Sequence, residues 1–391
     1  MTARGEHTLT LATSKFKGPV SASLLVAFST LTGLVLGEAA VRMVVNPVDY
    51  LRANLVEDER LLYKIAPNSS GHDSWGFRNR RVPRSAKIVT IGDSQTYGIS
   101  ASAGNSWPAK LQNLINEGVY NLSVGGYGPV QYAYLLENQA FDLSPSVVIV
   151  GFYFGNDLLE AYRLVYTKQY WSALRRGDFI AHEEPSDTDV VNTERGRFLG
   201  GLRTWLAQNS IVYGMFTLSS GNIFRFIEMK YFLAESNSDI SILDDRERNL
   251  HTGFTPLKRL RALNLRDPKV REGLRISLES IRHMQNLCSK KDIQFVVALI
   301  PTKENVFAEY IEDNSKINNS DAIDGVIENE RQVNQLVKEY LDEHKISYVD
   351  ILPALEKAVR MKTIYPQSED GHPNAEGYEV IATAIEERLA R

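Results

Sequence analysis

Four short stretches carry the side chains that could do chemistry. Gly92-Asp93-Ser94 ends the apolar, β-branched run Lys87 to Ile91, so a hydroxyl stands where a strand feeds a helix, behind a glycine that permits a tight turn. Asn121 to Gly128 follows the run Val119 to Leu122, and Gly125, Gly126 and Gly128 let backbone N–H groups approach a ligand closely. Gly155-Asn156-Asp157 follows Val147 to Val150 and adds an amide side chain. Glu369-Asp370-Gly371-His372 follows Ile346 to Ile351, and of the seven histidines only His372 stands in a loop after the last strand with carboxylates two and three residues before it. A hydroxyl, an imidazole, carboxylates and an amide are the group types of acid–base and nucleophilic chemistry. Each piece also has a plainer reading: Gly-Asp-Ser as a strand-end turn, Asn156 as a turn-stabilising asparagine, Gly125 to Gly128 as a tight loop or a phosphate nest. The glycine cluster lacks the G-x-G-x-x-G spacing and acidic partner of a dinucleotide site.

These stretches need a scaffold that brings them to one edge. The runs Lys87–Ile91, Val119–Leu122, Val147–Val150, Ile293–Ile300 and Ile346–Ile351 read as buried parallel strands, each of the last four preceded by a segment that can be helical. Asp267 as a cap with Pro268 behind it opens the clearest helix, whose apolar face is Leu274, Leu278, Ile281 and Leu287. The pattern predicts a three-layer α/β/α fold of about five parallel strands, with ligands bound beyond the carboxyl ends of the strands. Residues 158 to about 266 offer no strand that fits this sheet and read as a mostly helical insert. In it Tyr162, Tyr166 and Tyr170 recur every four residues with Trp171 beside the last, a stripe suited either to sugar rings or to packing the insert onto the domain. The apolar, aromatic stretch Ile211 to Leu233 reads as insert core or as a segment lying on a membrane surface.

Composition narrows the function classes. In 391 residues, 43% hydrophobic and 24% charged, Lys+Arg is 44 against Asp+Glu 48, a net −4 without a basic block, which offers nucleic acid no electrostatic footprint. The single cysteine, Cys288, excludes an internal disulfide framework and a multi-cysteine metal site. At the N-terminus, residues 1–17 carry Arg4, Lys15 and Lys17, and Gly18 to Gly37 are twenty uncharged residues, long enough as a helix to cross a bilayer. With Glu38 following, the positive-inside rule keeps the tail cytoplasmic and exports the rest; a signal peptide with the small residues Gly37 and Ala39 at its cleavage site and a buried helix are the competing readings. Residues 38–84, punctuated by proline and glycine, read as an ordered connector to a domain over 85–391.

The ordered set of four stretches resembles the SGNH, or GDSL-type, hydrolase family, over residues 85 to 157 and about 290 to 391, with Ser94, Gly126, Asn156 and His372 in the places of its four blocks. The stretch Tyr63 to Phe77, Gly126-Tyr127-Gly128 with Gln131, and Ile300-Pro301-Thr302-Lys303 look like a bacterial, membrane-tethered branch associated with O-acyl groups on polysaccharides. The resemblance implies that Ser94 is the nucleophile, His372 its general base, and the N–H groups of Ser94 and Gly126 with the Asn156 amide the oxyanion donors. It leaves two candidates for the acid: Glu369 at the commoner family spacing, and Asp370 at the shorter spacing of some relatives acting on exopolysaccharides, which we favour. The glycine the family usually has two places before Asn156 is Phe154 here. Tyr127, Tyr162, Tyr166 and Tyr170 are the candidate substrate contacts. The implied activity is that of a serine esterase, without metal or other cofactor, acting on an O-acetyl or other O-acyl ester of a carbohydrate, at the membrane and beside cell-envelope polysaccharide machinery. An acyltransferase to a sugar hydroxyl, a lipase or thioesterase, and a non-catalytic polysaccharide-binding or scaffold protein are the alternatives.

Overall fold

The computed structural model describes residues 19–177, 179, 200–218, 239–245, 250–311, 317 and 320–390. Five parallel strands, β3 (Ile88–Gly92), β4 (Val119–Ser123), β5 (Val147–Tyr153), β8 (Gln294–Ile300) and β9 (Ser347–Asp350), form one sheet in the order β4-β3-β5-β8-β9. They coincide with the five apolar runs. The sheet is covered on both faces, so its central strands are apolar throughout rather than alternating. On one face Val89, Ile91, Val148, Val150, Val297 and Leu299 pack beneath α4 (Pro129–Asn138), α8 (Pro268–Ser289) and part of α10 (Ser320–Glu343). On the other, Ile88, Ile149 and Ala298 pack beneath α3 (Trp107–Ile115), α11 (Leu352–Val359) and α12 (Ala375–Leu389).

The strand order reverses between β3 and β5, and open sheets bind ligands at that reversal, beyond the strand ends. Gly92 of β3 lies level with Ser123 of β4 and Gly151 of β5, so the segments that follow emerge side by side. The short α2 (Ser94–Tyr97) can lie against the sheet because a Cβ on Gly92 or on Gly151 would collide with Thr96 Oγ1 at 2.2 Å.

Residues 38–84 are more than a connector. They hold an antiparallel pair, β1 (Leu55–Asp58) with β2 (Leu62–Ile65), and contribute Leu61, Ile65 and Phe77 to the core. Asp73 accepts the Tyr120 hydroxyl at 2.7 Å, and Arg78 donates to Gly98 O at 2.6 Å, tying this segment to β4 and to the end of α2.

Within the insert, α5 (Asp157–Thr167), α6 (Gly200–Asn209) and α7 (Pro256–Leu263) are helical as expected, as are residues 211–218. The insert contributes no strand to the main sheet, as expected, but it holds a second antiparallel pair that the sequence did not announce, β6 (Ser241–Asp245) with β7 (Leu250–Phe254), which forms its own two-stranded sheet. N-terminal to all of this, α1 (Pro19–Val44) is long and apolar enough over Ala22–Val44 to cross a membrane, and none of that span is buried against the protein. Its part beyond Gly37 carries Glu38 and Arg42, four residues apart on one face and paired at 2.8 Å. Residues 1–17 and 219–233 lie outside the described residues.

Candidate active site

Ser94 is the first residue of α2, and Asp93 caps that helix by accepting the Gln95 N–H at 2.9 Å. The hydroxyl of Ser94 meets His372 Nε2 at 2.8 Å, and His372 Nδ1 meets Asp370 Oδ1 at 2.6 Å, both within the reach expected of a nucleophile, its base and the base's orienting acid. Of the two candidate carboxylates the structure therefore places Asp370 on the imidazole. The backbone of Glu369 is instead packed on Gly253 of β7, where a Cβ would come within 3.1 Å of it.

Asp370 Oδ1 also accepts the N–H of His372 at 3.0 Å, and its other oxygen accepts the Ser100 hydroxyl. Burial pushes its carboxyl upward, but the hydrogen bond and charge of His372 and the Ser100 hydroxyl outweigh it and hold the group well below the usual carboxylate range. Asp93 goes the other way: wholly buried, its carboxyl is raised by desolvation in spite of the Gln95 N–H, the His372 charge and the Ser94 and Asn156 side chains. Asp157 is buried and raised as well, and it accepts the Tyr132 hydroxyl at 2.9 Å and the Tyr153 N–H at 3.0 Å. Both hold loop backbone.

Gly125 is in van der Waals contact with Ser94, its Cβ position lying 3.6 Å from Ser94 Cβ. Gly126 has φ +78°, and a Cβ there would meet Tyr63 Oη at 2.4 Å, so only glycine takes this turn without strain. Tyr63, in turn, donates to Gly125 O at 2.8 Å. The N–H groups of Ser94 and Gly126 donate to no protein acceptor among the described residues, as befits the first turn of a helix and an open glycine loop. Asn156 stands at the start of α5, in the loop after β5, without a side-chain capping bond: its Oδ1 is buried and unpartnered and its side chain lies against Asp93. Among the described residues no group of three or more His, Cys, Asp or Glu side chains could hold a metal ion.

In chain course the protein is similar to several solved ester hydrolases. A protein described as lipolytic and of the G-D-S-L family from Desulfitobacterium hafniense is 14% identical, with 78% of this chain and 100% of that chain covered, at a TM-score of 0.39. A GDSL-like lipase from Bacteroides thetaiotaomicron is 11% identical over 79% and 92% of the two chains, at a TM-score of 0.34. An acetylxylan esterase from Geobacillus stearothermophilus is 10% identical over 79% and 97%, at 0.36. No protein-family profile matches the sequence, and no curated protein does. Likenesses this distant transfer no chemistry, which rests here on the site's own geometry.

Of the four candidate tyrosines, Tyr127 and Tyr162 are buried, Tyr166 is half-buried and Tyr170 is exposed. Tyr127 is 1% exposed, its hydroxyl donating to Tyr63 O at 2.5 Å, so it braces the glycine loop from behind. Tyr162 is equally buried, stacked on Tyr166 at 4.7 Å, while Tyr166 donates to Glu272 of α8 at 3.1 Å. This is the packing alternative, insert onto domain. Tyr170 leaves the stripe altogether because α5 ends at Thr167; it is exposed on the 3-10 turn Gln169–Leu174 beside the guanidinium of Arg60.

What the insert does bring to the site comes from its far end. Thr252 Oγ1 donates to Pro366 O at 3.3 Å and Gly253 N to Ser368 O at 3.2 Å, so β7 holds the loop that carries Asp370 and His372. Arg259 of α7, buried with its guanidinium over the Tyr153 ring, donates to Gly155 O at 3.1 Å, next to Asn156. Beneath the same loop lies Lys303, on the one-turn helix α9 (Lys303–Val306) after β8, fully buried and donating to Ser368 O at 2.8 Å, Asp370 O at 3.1 Å and Pro366 O at 3.4 Å. Lys303 stood in a stretch the sequence singled out but without a role; Arg259 and Thr252 carried no local signal, because their partners lie about a hundred residues away.

Proposed function

We propose that the chain is a serine esterase that cleaves O-acyl esters through an acyl-serine intermediate. The observation that carries this reading is the continuous hydrogen-bond chain from Ser94 through His372 to Asp370, opening onto unpartnered N–H groups of Ser94 and Gly126. His372 Nε2 takes the Ser94 proton as Oγ bonds to the acyl carbon, and Asp370 holds the Nδ1 proton and the ring orientation. The Ser94 and Gly126 N–H groups and the Asn156 amide stabilise the oxygen that gains charge. His372 returns its proton to the departing alcohol as the old ester bond breaks, leaving the acyl group on Ser94. Water then adds by the same route, releasing the acid and restoring the hydroxyl.

The acyl group we propose is acetyl and its carrier a carbohydrate, on the strength of the sequence resemblance to the polysaccharide-associated branch. We place the enzyme at a membrane, with α1 as its anchor and the catalytic domain outside the cytoplasm, because basic residues precede the apolar span and Glu38 follows it.

The test is acetate release from p-nitrophenyl acetate and from a panel of acetylated polysaccharides. Ser94→Ala and His372→Ala should each remove the activity, with a fluorophosphonate probe labelling wild type and Ser123→Ala but not Ser94→Ala. Wild-type release no faster than that of Ser94→Ala on every substrate would overturn the esterase reading. Ser123 is the proper control, since its hydroxyl is already bonded to Asn121.

A further inference from the structure

Twenty uncharged residues run from Gly18 to Gly37, and Glu38 is the first charge after them. If α1 spans a bilayer, the polar boundary on that side falls at Glu38, and the structure shows what is fastened there. The Glu38 carboxylate accepts Ile211 N at 2.9 Å, Val212 N at 3.0 Å and Ser210 Oγ at 3.0 Å, so it caps the helical stretch 211–218. One turn further along α1, Arg42 donates to Asn209 O at 2.5 Å. The junction between α6 and the next helix is thus pinned at the height of the membrane surface. From its other side the junction is bonded to the catalytic body, through Arg52 N to Ala207 O at 2.8 Å and Ser70 Oγ to Gln208 O at 3.3 Å.

The two helices meeting at this junction expose large apolar side chains: Leu202 and Trp205, three residues apart on α6, and Phe216 and Leu218 on the following stretch, with Trp205 59% and Phe216 69% exposed. Single exposed apolar residues are ordinary; a group of them at bilayer height is not. At about 1.5 Å of rise per residue, Trp205 is roughly 7.5 Å along its helix from Ser210, and Phe216 about as far from Ile211. Both side chains therefore start from backbone no farther from the junction than about the thickness of one interfacial layer, roughly 5 to 8 Å between hydrocarbon and bulk water. Tryptophan favours this layer, and over residues 200–218 the sole charged side chain is Arg203, with no acid to repel phosphate headgroups.

We propose that residues 200–218 form an interfacial foot, Leu202, Trp205 and Phe216 entering the headgroup–acyl boundary of the bilayer that α1 spans. The foot and the Glu38–Arg42 clamp hold the catalytic body at a fixed height instead of letting it swing on a tether. This rests on the membrane-anchored reading, and the experiment separates the two. The full chain is reconstituted in phosphatidylcholine vesicles containing lipids with a nitroxide near the headgroup or near the bilayer centre. Retention of the protein on vesicles washed in alkaline carbonate tests the anchor. Tryptophan quenching then tests the foot: the shallow label quenches wild type more than the deep label, and Trp205→Phe loses more than half of the quenchable emission, since Trp107 is buried and Trp75 and Trp171 are partly buried against the protein. Release in carbonate overturns the anchor and the foot together. Retention with equal quenching of wild type and Trp205→Phe overturns the foot alone.

Discussion

At the scale of single residues, the loop before the last helix contains two adjacent acids with different jobs. The Asp370 side chain meets both the imidazole and the backbone N–H of His372, whereas the backbone of Glu369 is packed against β7. Asp370→Asn should therefore lower kcat on the order of 10³- to 10⁴-fold, because an amide cannot hold the imidazole in its working tautomer or stabilise its charged form. Glu369→Gln should leave kcat within about twofold, and steady-state kinetics on p-nitrophenyl acetate compares them directly. The depressed Asp370 carboxyl also carries a sign for stability: a carboxyl whose folded pKa lies below its unfolded one stabilises the fold above the ordinary carboxylate range, and the contribution is lost as pH falls through the folded value. The stability gap between wild type and Asp370→Asn, read by urea unfolding, should accordingly be widest near neutrality and shrink below about pH 4. For the oxyanion side, Asn156→Ala should cost on the order of 100-fold or more in kcat with little change in KM.

At the scale of elements, the Asp370 loop is held by groups from three places: Lys303 after β8, Thr252 and Gly253 from β7, and Gln95 from α2, which donates to Gly371 O at 3.3 Å. An ammonium has three N–H groups, and Lys303 aims them at three carbonyls. Burial pushes its pKa down to about 8 from the ordinary 10.5, against the pull of Glu304, Asp370 and Glu369. As pH rises through about 8 the amine keeps two N–H groups for three acceptors, so wild-type kcat should fall there. Lys303→Met should start lower, with KM little changed, and lack that fall. Stability moves the other way, because between about 8 and 10.5 the unfolded chain binds more protons than the folded one, and wild type should gain stability with pH relative to Lys303→Met. On the opposite wall, Gly126→Ala should cost about 1 to 3 kcal/mol through its positive φ, visible as a lowered Tm. The sheet and the residues at its edge were legible because strand runs and strand-end loops are local patterns. Lys303, Arg259 and Thr252 were not, since each acts on backbone remote in sequence, and the short β6 and β7, with Asp244, Asp245 and His251 among their residues, lack an apolar run to announce them. The tyrosine spacing was visible but could not tell a packed face from a binding face; burial of Tyr162 decides it.

At the scale of the whole molecule, the boundary between the apolar span and the folded body falls within α1 rather than at its end. Residues 22–36 of α1 are exposed throughout, so the apolar part before Glu38 contributes no core. Glu38 and Arg42 belong to the other side of the division, because they complete the N-terminus of the stretch 211–218 and bind the end of α6. Two truncations that differ only by that clamp should therefore behave differently. Residues 38–391 should keep the Tm of the full chain in detergent and its kcat on p-nitrophenyl acetate, a small substrate that needs no membrane. Residues 45–391 lose the cap, worth about 0.5 to 2 kcal/mol for a helix N-terminus. At about 2.1 cal/mol/K of unfolding entropy per residue, a body of roughly 350 residues shifts by about 1.4 °C per kcal/mol, so a Tm lower by about 1 to 3 °C is expected, read by differential scanning calorimetry. Among the described residues the chain of Ser94, His372 and Asp370 has no hydrogen bond to α1, so kcat below the transition should be unchanged in both fragments. Equal Tm values would make the clamp a passive contact; a loss of kcat in 45–391 well below its Tm would mean that the foot end of the insert is coupled through β6, β7 and α7 to the Asp370 loop.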